Sequence, residues 1–473
     1  MLLTTILLAA TTVLTQGDLV VKTHTCDKCT ASFRIMPDNK TAYVNLARVA
    51  EADVPAVAKH VAALMEGAKD ASKGGPLRPT MGWSSWNSFE LNITEPIVLS
   101  VAETMATNGL KAAGYNYVNI DDGHFYGRDE KGKLRAHPVK FPNGLKPVVD
   151  RIHALGLKAG IYSDAGNNTC GSVGSKEKDG IGVGFYGHED QDAQYYFGEC
   201  DFDFIKVDWC GGTRMKLKRQ DRYTAIKKAI DKVKKDVRFN ICCWSYPGKW
   251  AEEVAGSWRI CGDIRANWES VAGFIKYLVN SRLADCMTLG HYNDLDMLEV
   301  GYRLGKTKTV FGPMDTGLTV DEEEAHFGMW SFLSSPLLIG CDVRKLDPVT
   351  LKLVTNPFLI GMNQNDIAAP IKVVARPGDG NFVFVKDCGA LGGTSRYVAV
   401  FNAGGERPFT LDFEALELGG KVSFFDLAKR EGLGTFEKSL EVTLPAHSAK
   451  FYRVDAEKRL TPVQTPDPKK GNK

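Results

Sequence analysis

The chain has 473 residues, of which 44% are hydrophobic and 25% are charged, a composition typical of a globular protein with one large domain and smaller ones. Lysine and arginine number 59 against 57 aspartate and glutamate, so the formal net charge is only +2. This balance, without a long basic run, argues against nucleic acid as a partner. Eleven cysteines are too few for a disulfide scaffold but allow one or two bridges.

The N-terminus has an apolar stretch that is too short to span a bilayer and is followed by polar residues. Although a basic start and a clear cleavage site are missing, we expect residues 1–17 to be a signal peptide and the protein to be secreted or periplasmic. No later stretch predicts a membrane span. Residues 18–78 form an N-terminal leader whose role the sequence does not disclose. We assign no function to its lone C-x-x-C pair, Cys26 and Cys29.

Residues 79–366 alternate between short apolar strand-like runs and amphipathic helix-like runs. The strand-like runs are residues 80–86, 115–122, 158–166, 202–210, 238–246, 257–264, 287–298 and 336–343. The helix-like runs include residues 97–110, 147–156, 192–198, 222–235, 270–284 and 322–335. Eight strands in a domain of this size predict an α/β fold, a (β/α)8 TIM barrel. A doubly wound sheet is the rival, but no G-x-G-x-x-G follows the first strand.

The pattern of predicted secondary structure changes after the barrel. Residues 367–456 contain strand-like runs and turns without strong helices, which predicts a C-terminal antiparallel β-sandwich. Residues 457–473 are rich in proline, lysine and other polar residues, and we expect them to be a disordered tail.

Polar and aromatic side chains occur at almost every predicted strand end. They are Trp83, Trp86, Asp121, Asp122, Tyr162, Asp164, Lys206, Asp208, Trp244, Arg259, Asp263, Asp294 and Asp296. A single aspartate in such a loop could equally cap the next helix. A set that repeats around the barrel instead predicts a site at the C-terminal mouth, where the strand ends meet.

Lys206 and Asp208 lie two residues apart at the end of one predicted core strand. Side chains alternate along a strand, so both should point toward the mouth, where Lys206 would keep Asp208 ionised. A structural ion pair is the alternative. Asp263 lies two strands further round and could face Asp208. Two carboxylates roughly 5–5.5 Å apart are the apparatus of a retaining glycosidase, and the aromatic side chains suit the faces of a sugar ring.

Several motifs in order resemble the signatures of the α-galactosidase and α-N-acetylgalactosaminidase family, glycoside hydrolase family twenty-seven. They are "PTMGWSSWNSF", "NIDDG", "KFPNGLKPVVDRIHALGLKAGIYSDAGNNTC", "IKVDWC", "WRICGDI" and "NDLDMLEVG". The resemblance covers about residues 79–365. It implies a barrel followed by a β-sandwich, and retention of configuration through a covalent glycosyl-enzyme.

The resemblance also implies roles for individual residues. Asp208 would be the nucleophile and Asp263 the acid/base, and Cys170 and Cys210 would form a disulfide beside the nucleophile. The residues implied to bind the sugar are Trp86, Asp121, Asp122, Tyr162, Lys206, Trp244, Arg259 and Asp296. No metal and no cofactor are expected. A general acid needs a pKa above that of the nucleophile, so we expect the pKa of Asp263 to lie above that of Asp208.

One departure from the family pattern bears on the substrate. Many members have Cys-Glu-Trp at the end of the fifth strand, where this chain has Cys242, Cys243 and Trp244. Loss of the glutamate leaves a smaller residue near the sugar's C2 substituent and raises the chance of an N-acetyl group there, whereas the bulky Tyr246 argues the other way.

The expected function is a retaining exo-glycosidase that releases terminal α-linked galactose from an oligosaccharide or glycan. If the protein is a glycosidase, the alternatives are activity as an α-N-acetylgalactosaminidase or a β-L-arabinopyranosidase. If it is not an enzyme, the alternative is a carbohydrate-binding barrel without catalysis. The sequence leaves the oligomeric state open.

Overall fold

The computed structural model describes residues 11–71, 76–174, 178–302, 305–309, 312–378 and 380–461. The described chain divides into two compact units. One contains the described parts of residues 1–66, 371–446 and 450–473, and the other contains those of residues 67–370 and 447–449. Among the helices of the described residues, none has the length and apolar character that crossing a bilayer requires.

The unit of residues 67–370 is built on a parallel sheet that has eight strands within the described residues. In chain order they are Met81–Ser84, Tyr117–Asn119, Lys158–Asp164, Phe204–Asp208, Arg238–Ile241, Ser257–Arg259, Tyr292–Asp294 and Leu337–Ile339. Each lies inside one of the predicted runs, and the first strand pairs with the eighth. The predicted (β/α)8 barrel is therefore confirmed.

The barrel closes between its seventh and eighth strands through Leu298. Its backbone nitrogen donates to the Leu338 carbonyl at 2.7 Å, and its own carbonyl accepts from the Gly340 nitrogen at 3.0 Å. Between Asp294 and Leu298 the chain leaves the strand path, and Asp296 there adopts a left-handed φ of 76°. This detour lies at the carboxyl end of the seventh strand, where a barrel carries its site.

Helices precede, connect and follow these strands along the chain. The α-helices are Val54–Ala71, Trp86–Phe89, Glu95–Thr107, Lys146–Ala154, Cys170–Gly174, Glu189–Ala193, Cys210–Arg214, Arg219–Val233, Trp268–Asn280, Val320–Phe332, Pro348–Val354 and Pro357–Asn363. Shorter turns are Glu51–Asp53, Glu90–Asn92, Gln194–Glu199, Lys249–Glu253 and Val343–Lys345. Two hairpins pair Phe125–Arg128 with Leu134–Ala136 and Gly305–Thr309 with Gly312–Thr316.

The other unit is antiparallel for most of its length. Its C-terminal strands are Lys372–Ala375, Phe382–Asp387, Ser395–Asn402, Arg407–Asp412, Leu418–Asp426, Glu431–Glu437, Ser439–Leu444 and Ser448–Arg459. Arg407–Asp412 and Ser439–Leu444 form a two-stranded sheet, and the rest belong to a larger sheet. Buried valine, leucine and phenylalanine side chains form its core. The predicted C-terminal β-sandwich is confirmed.

The same large sheet contains four strands from the N-terminal segment, whose role the sequence did not disclose. They are Thr12–Gln16, Leu19–His24, Phe33–Ile35 and Thr41–Asn45. Phe33–Ile35 pairs antiparallel with Glu431–Glu437, and the Phe33 ring stacks on Phe425 at 5.7 Å between centroids. Burial of these apolar faces gives the segment a structural role in the C-terminal sheet.

Two predicted boundaries fall at the ends of this sheet. The strand Thr12–Gln16 lies within residues 1–17, and the signal peptide stays a prediction because residues 1–10 lie outside the described residues. At the other end, the strand Ser448–Arg459 includes residues 457–459. This corrects the predicted start of the disordered tail, of which residues 462–473 lie outside the described residues.

Arg128 connects three segments that follow barrel strands and holds them to one another. Its guanidinium donates to both carboxylate oxygens of Asp192 at 2.7 Å, and Asp192 is fully buried. It also donates to the carbonyl oxygens of Gly132, Gly182, Val183 and Gly184. The ion pair and these hydrogen bonds join the hairpin that ends at Ala136 to residues 182–184 and to the helix Glu189–Ala193.

Replacement of Arg128 tests this clamp. Arg128→Met would leave the buried Asp192 carboxylate without its partner, and we expect the free energy of unfolding to fall by about 3–5 kcal/mol in urea titrations. Arg151→Met is the matched control. Arg151 pairs with Glu103 at 2.9 Å with both side chains about half exposed, so its loss should change stability by less than about 1 kcal/mol. Equal effects of the two variants would contradict a special role for Arg128.

Candidate active site

A pocket opens at the carboxyl ends of the barrel strands and encloses about 180 Å³. All twelve residues that the sequence assigned to the site line it: Trp86, Asp121, Asp122, Tyr162, Cys170, Lys206, Asp208, Cys210, Trp244, Arg259, Asp263 and Asp296. Three other strand-end residues do not. Trp83 is buried and donates to the Cys341 carbonyl, while Asp164 and Asp294 hold backbone and side-chain groups behind the pocket.

The ammonium group of Lys206 makes its ion pair with Asp121 and not with Asp208. Lys206 Nζ lies 2.9 Å from Asp121 Oδ2 and 5.4 Å from the centroid of the Tyr162 ring. Strand register explains part of this arrangement, because Lys206 lies opposite Tyr162 in the parallel pair and both point into the barrel. The alternative of a Lys206–Asp208 ion pair is therefore wrong, and Lys206 acts on Asp208 as a nearby positive charge.

Asp208 is buried at the end of the fourth strand, and its Oδ1 accepts a hydrogen bond from the Trp209 backbone nitrogen at 3.0 Å. Burial raises its pKa to about 6, and the positive charge of Lys206 opposes that rise without cancelling it. The carboxyl group consequently holds its proton more tightly than a free aspartate does.

Asp263 has the opposite electrostatic character. Its side chain is 63% exposed, and its Oδ1 accepts from Arg259 Nη2 at 3.1 Å. Partial burial raises its pKa, but Arg259 and Lys206 outweigh that effect and hold the pKa below the usual value. The expected order of the two pKa values is therefore wrong for this structure, in which Asp208 binds a proton before Asp263 does.

Arg259 links the sixth and seventh strands beneath Asp263. Its Nη2 also lies 3.0 Å from Asp296 Oδ2, and that oxygen accepts from the Ile264 backbone nitrogen. Asp294 completes the network, because its Oδ1 accepts from the Asp296 nitrogen and its Oδ2 accepts from Asn240. Burial raises the pKa of Asp296 to about 6 despite the Arg259 charge.

Asp122 is held by backbone donors. Its Oδ1 accepts from the Gly123 nitrogen at 2.8 Å, and its Oδ2 accepts from the Gly171 nitrogen at 2.8 Å. A Cβ at residue 171 would lie 2.7 Å from Asp122 Oδ2, so glycine is needed for this approach. Burial raises the pKa of Asp122 to about 7.

A disulfide joins Cys170 to Cys210, which is the pairing that the family resemblance implied. It connects two short helices that begin beside the pocket, Cys170–Gly174 and Cys210–Arg214. The Cys170 nitrogen donates to Tyr162 Oη at 3.2 Å. The bridge thus fixes a pocket wall next to Asp208. Cys26 and Cys29 form a second, local disulfide.

The residues at the end of the fifth strand, Cys242, Cys243 and Trp244, differ in their access to the pocket. Cys242 and Cys243 are both buried, and the Cys243 thiol donates to the Ser245 carbonyl at 3.3 Å. Neither lines the pocket. Trp244 does, in a left-handed conformation with a φ of 54°. Of these three residues, Trp244 is therefore the one whose side chain would meet a ligand in the pocket.

The pocket also has lining residues that the sequence reasoning missed: Asn87, Leu91, Gly171, Val173, Gly174 and Met297. Asn87 directly follows Trp86 at a predicted strand end, and this position could have identified it as a residue of the pocket. The others lie on loops and short helices without a periodic pattern, so no local feature marked them.

The arrangement favours acid–base and nucleophilic chemistry on a polar ligand. Within the described residues, Asp164, Cys170 and Cys210 are the one group close enough to suggest a metal site, but the two sulfurs are bonded to each other and cannot serve as thiolate ligands. Five carboxyl groups and two cations converge on a pocket whose aromatic walls suit a sugar ring.

Comparison with known proteins identifies the family. Residues 78–365 match the family described as "Alpha galactosidase A", and residues 388–454 match "Alpha galactosidase C-terminal beta sandwich domain". A protein of Dictyostelium discoideum named "Probable alpha-galactosidase" is 35% identical over 375 residues, which are 78% of this chain and 89% of that protein.

Solved structures agree. The crystal structure of α-galactosidase I from Mortierella vinacea has a TM-score of 0.71 at 30% identity, and the match covers 82% of this chain and 99% of that one. A structure of α-galactosidase from Saccharomyces cerevisiae with raffinose has a TM-score of 0.69 at 26% identity, with 82% and 99% covered. The chain therefore belongs to the α-galactosidase family, glycoside hydrolase family twenty-seven, and is a glycoside hydrolase.

Proposed function

We propose that this glycoside hydrolase is a retaining exo-enzyme that releases terminal α-linked galactose. The observation that carries the proposal is the convergence of Asp208 and Asp263 on one pocket whose other polar groups are suited to sugar hydroxyls. The α-galactosidases to which the chain is similar support the choice of sugar. The raffinose in the Saccharomyces cerevisiae structure supports an oligosaccharide substrate.

In the proposed first step, the ionised Asp208 carboxylate attacks the anomeric carbon while the protonated Asp263 donates its proton to the departing glycosidic oxygen. In the second step, Asp263 takes a proton from water, which attacks the glycosyl-enzyme and releases the sugar. Two inversions give net retention. Because Asp263 is exposed, a bound glycoside would remove water from around it and raise its pKa toward the value that a general acid needs.

The buried acids at the second strand end are the proposed hydroxyl ligands. Asp121 and Asp122 offer carboxylate oxygens as acceptors. The Lys206 ammonium group has further N–H donors besides the one that bonds to Asp121. Hydrogen bonds to charged groups are stronger than neutral ones, so such contacts favour a sugar whose hydroxyls reach them. Trp86, Tyr162 and Trp244 supply apolar faces for the ring carbons.

The dimensions of the pocket support removal of a terminal sugar. Its volume of about 180 Å³ is below the roughly 300–1,000 Å³ of pockets that hold drug-sized ligands. A small pocket at the end of a barrel accepts a chain end, whereas cleavage inside a polymer needs a long open cleft. Export to an oxidising compartment is a further part of the proposal, and the two disulfides are compatible with it.

Hydrolysis of three chromogenic glycosides tests the choice of sugar. We expect p-nitrophenyl α-galactoside to have the highest kcat/KM, and α-N-acetylgalactosaminide to be poor because the bulky Trp244 indole lines a small pocket and leaves less room for an N-acetyl group. β-L-arabinopyranoside lacks the C6 group and should bind more weakly through the contacts it loses. A higher kcat/KM on either of these two would contradict the proposed specificity while leaving the glycosidase chemistry intact.

Asp208→Asn should abolish turnover of the α-galactoside, because an amide cannot act as the nucleophile but nearly preserves the shape of the carboxyl group. The measurement is kcat with near-ultraviolet circular dichroism as a check on folding. Asp150→Asn is the matched control, since Asp150 is exposed in a helix and pairs with Lys146 away from the pocket. Activity of Asp208→Asn above a small fraction of wild type would show that Asp208 is structural.

The same variant should alter the pH dependence of stability. The pKa of Asp208 is about 6 in the folded protein, and it is about 4 in an unfolded chain. The stability that this group contributes is fully present below about pH 4 and is lost as the pH rises toward about 6. Asparagine does not titrate, so the Tm of Asp208→Asn should rise relative to wild type between about pH 4 and pH 7. A constant difference would contradict the raised pKa.

Asp263→Ala separates the roles of the two carboxyl groups. The variant should hydrolyse natural galactosides very slowly, whereas an activated aryl galactoside should still form the glycosyl-enzyme because its leaving group needs little protonation. Azide needs no general base, so it should restore turnover and give a galactosyl azide with retained configuration. Absence of rescue, or an inverted product, would reverse the assignment of Asp263.

A further inference from the structure

Glu299 is a buried carboxyl group that the proposed mechanism does not use. It follows Leu298, the residue that closes the barrel, and is 2% exposed. Its backbone nitrogen donates to Nε2 of the buried His326 at 2.8 Å. That imidazole nitrogen accepts, so His326 carries its proton on Nδ1, and burial lowers its pKa to about 3. The backbone of Glu299 is thereby fixed behind the pocket.

The Glu299 side chain reaches across the eighth strand end to the short helix Trp86–Phe89, which follows the first strand. There its Oε1 accepts a hydrogen bond from Nδ2 of Asn87, which lies 212 positions away in the sequence. Gly340 makes the crossing possible. A Cβ at residue 340 would lie 2.9 Å from Glu299 Oε1 and 3.4 Å from Asn87 Cβ. The contact therefore depends on three separate segments at the seam of the barrel.

Asn87 lines the pocket beside Trp86. Because its Nδ2 is turned toward Glu299, its amide oxygen Oδ1 is left as a hydrogen-bond acceptor. Among the residues that the structure describes, no donor satisfies this oxygen. An asparagine without the Glu299 contact could rotate its amide and present a donor instead.

We propose that Glu299 is a positioning residue that holds the Asn87 amide with its oxygen toward the pocket, where Asn87 accepts a hydrogen bond from a hydroxyl group of the bound glycoside. This role rests on the proposed function, since it requires a sugar in the pocket. It adds Asn87 to the residues that recognise the substrate and makes Glu299 an indirect determinant of its affinity.

The surroundings of Glu299 favour its neutral form. Asp296, Tyr302 and Cys341 interact electrostatically with it, the neutral His326 accepts a hydrogen bond from its backbone nitrogen, and none of these four groups carries a positive charge. Burial raises the pKa of Glu299 to about 8, and Asp296 adds to that rise. A neutral carboxyl group can accept from Asn87 through its carbonyl oxygen without placing another negative charge beside Asp296.

Three single variants and one double variant, Asn87→Ala with Glu299→Leu, test the proposal. Asn87→Ala and Glu299→Leu should each raise KM for the preferred chromogenic glycoside, and the Kd of galactose by calorimetry, about 3- to 10-fold, with kcat little changed. Glu299→Gln keeps an oxygen that can accept from Asn87, so its KM should stay near wild type. The double variant should be no worse than Asn87→Ala, because both changes remove one hydrogen bond. Asn92→Ala, at an exposed position nearby, is the control.

The outcomes distinguish failure of the substrate contact, of the positioning role and of the proposed function. A KM and Kd of Asn87→Ala equal to wild type would overturn the substrate contact. Additive effects in the double variant, or a Glu299→Gln variant as impaired as Glu299→Leu, would overturn the positioning role. Wild-type protein that binds galactose but hydrolyses none of the three glycosides would refute the proposed function alone, because the Kd measurements would still test Asn87 and Glu299. Wild-type protein that neither binds nor hydrolyses would refute both.

Discussion

The pocket places five carboxyl groups and two cations in one partly buried space, and this imbalance governs the rest of the site. Lys206 is committed to Asp121, and Arg259 is shared between Asp263 and Asp296. Burial then raises the pKa values of the remaining acids, Asp122 and Asp208, because no cation compensates them fully. Protonation of the site is therefore a property of the whole cluster, and a bound sugar that displaces water would redistribute the protons.

Such a cluster disfavours the folded state at neutral pH, so the surrounding structure has to hold it in place. Backbone nitrogens fix Asp122 and Asp208, the disulfide fastens the wall that carries Gly171, and Arg128 anchors the outer segments. The groups that would touch a sugar consequently lie on rigid elements, which is what precise positioning of reacting atoms requires.

The N-terminal segment shows a different kind of dependence. Its strand Leu19–His24 alternates buried and half-buried residues, but an alternating pattern says only that one face is covered and not by what. Phe33–Ile35 finds its partner in Glu431–Glu437, almost four hundred residues later in the chain, as the 397 positions between Arg34 and Glu431 show. A segment can thus belong to a unit whose other strands are at the opposite end of the sequence.

Periodicity and strand-end polarity in the sequence were enough to determine the barrel, the sandwich and most of the polar and aromatic residues at the mouth, because each depends on local spacing that repeats along the chain. Tertiary structure alone decided the partners. Lys206 binds Asp121, 85 positions away, instead of the nearby Asp208, and Glu299 meets Asn87 across the barrel seam. It also decided the order of the pKa values of Asp208 and Asp263, since burial and distances to distant charges set a pKa and neither can be read from neighbouring residues.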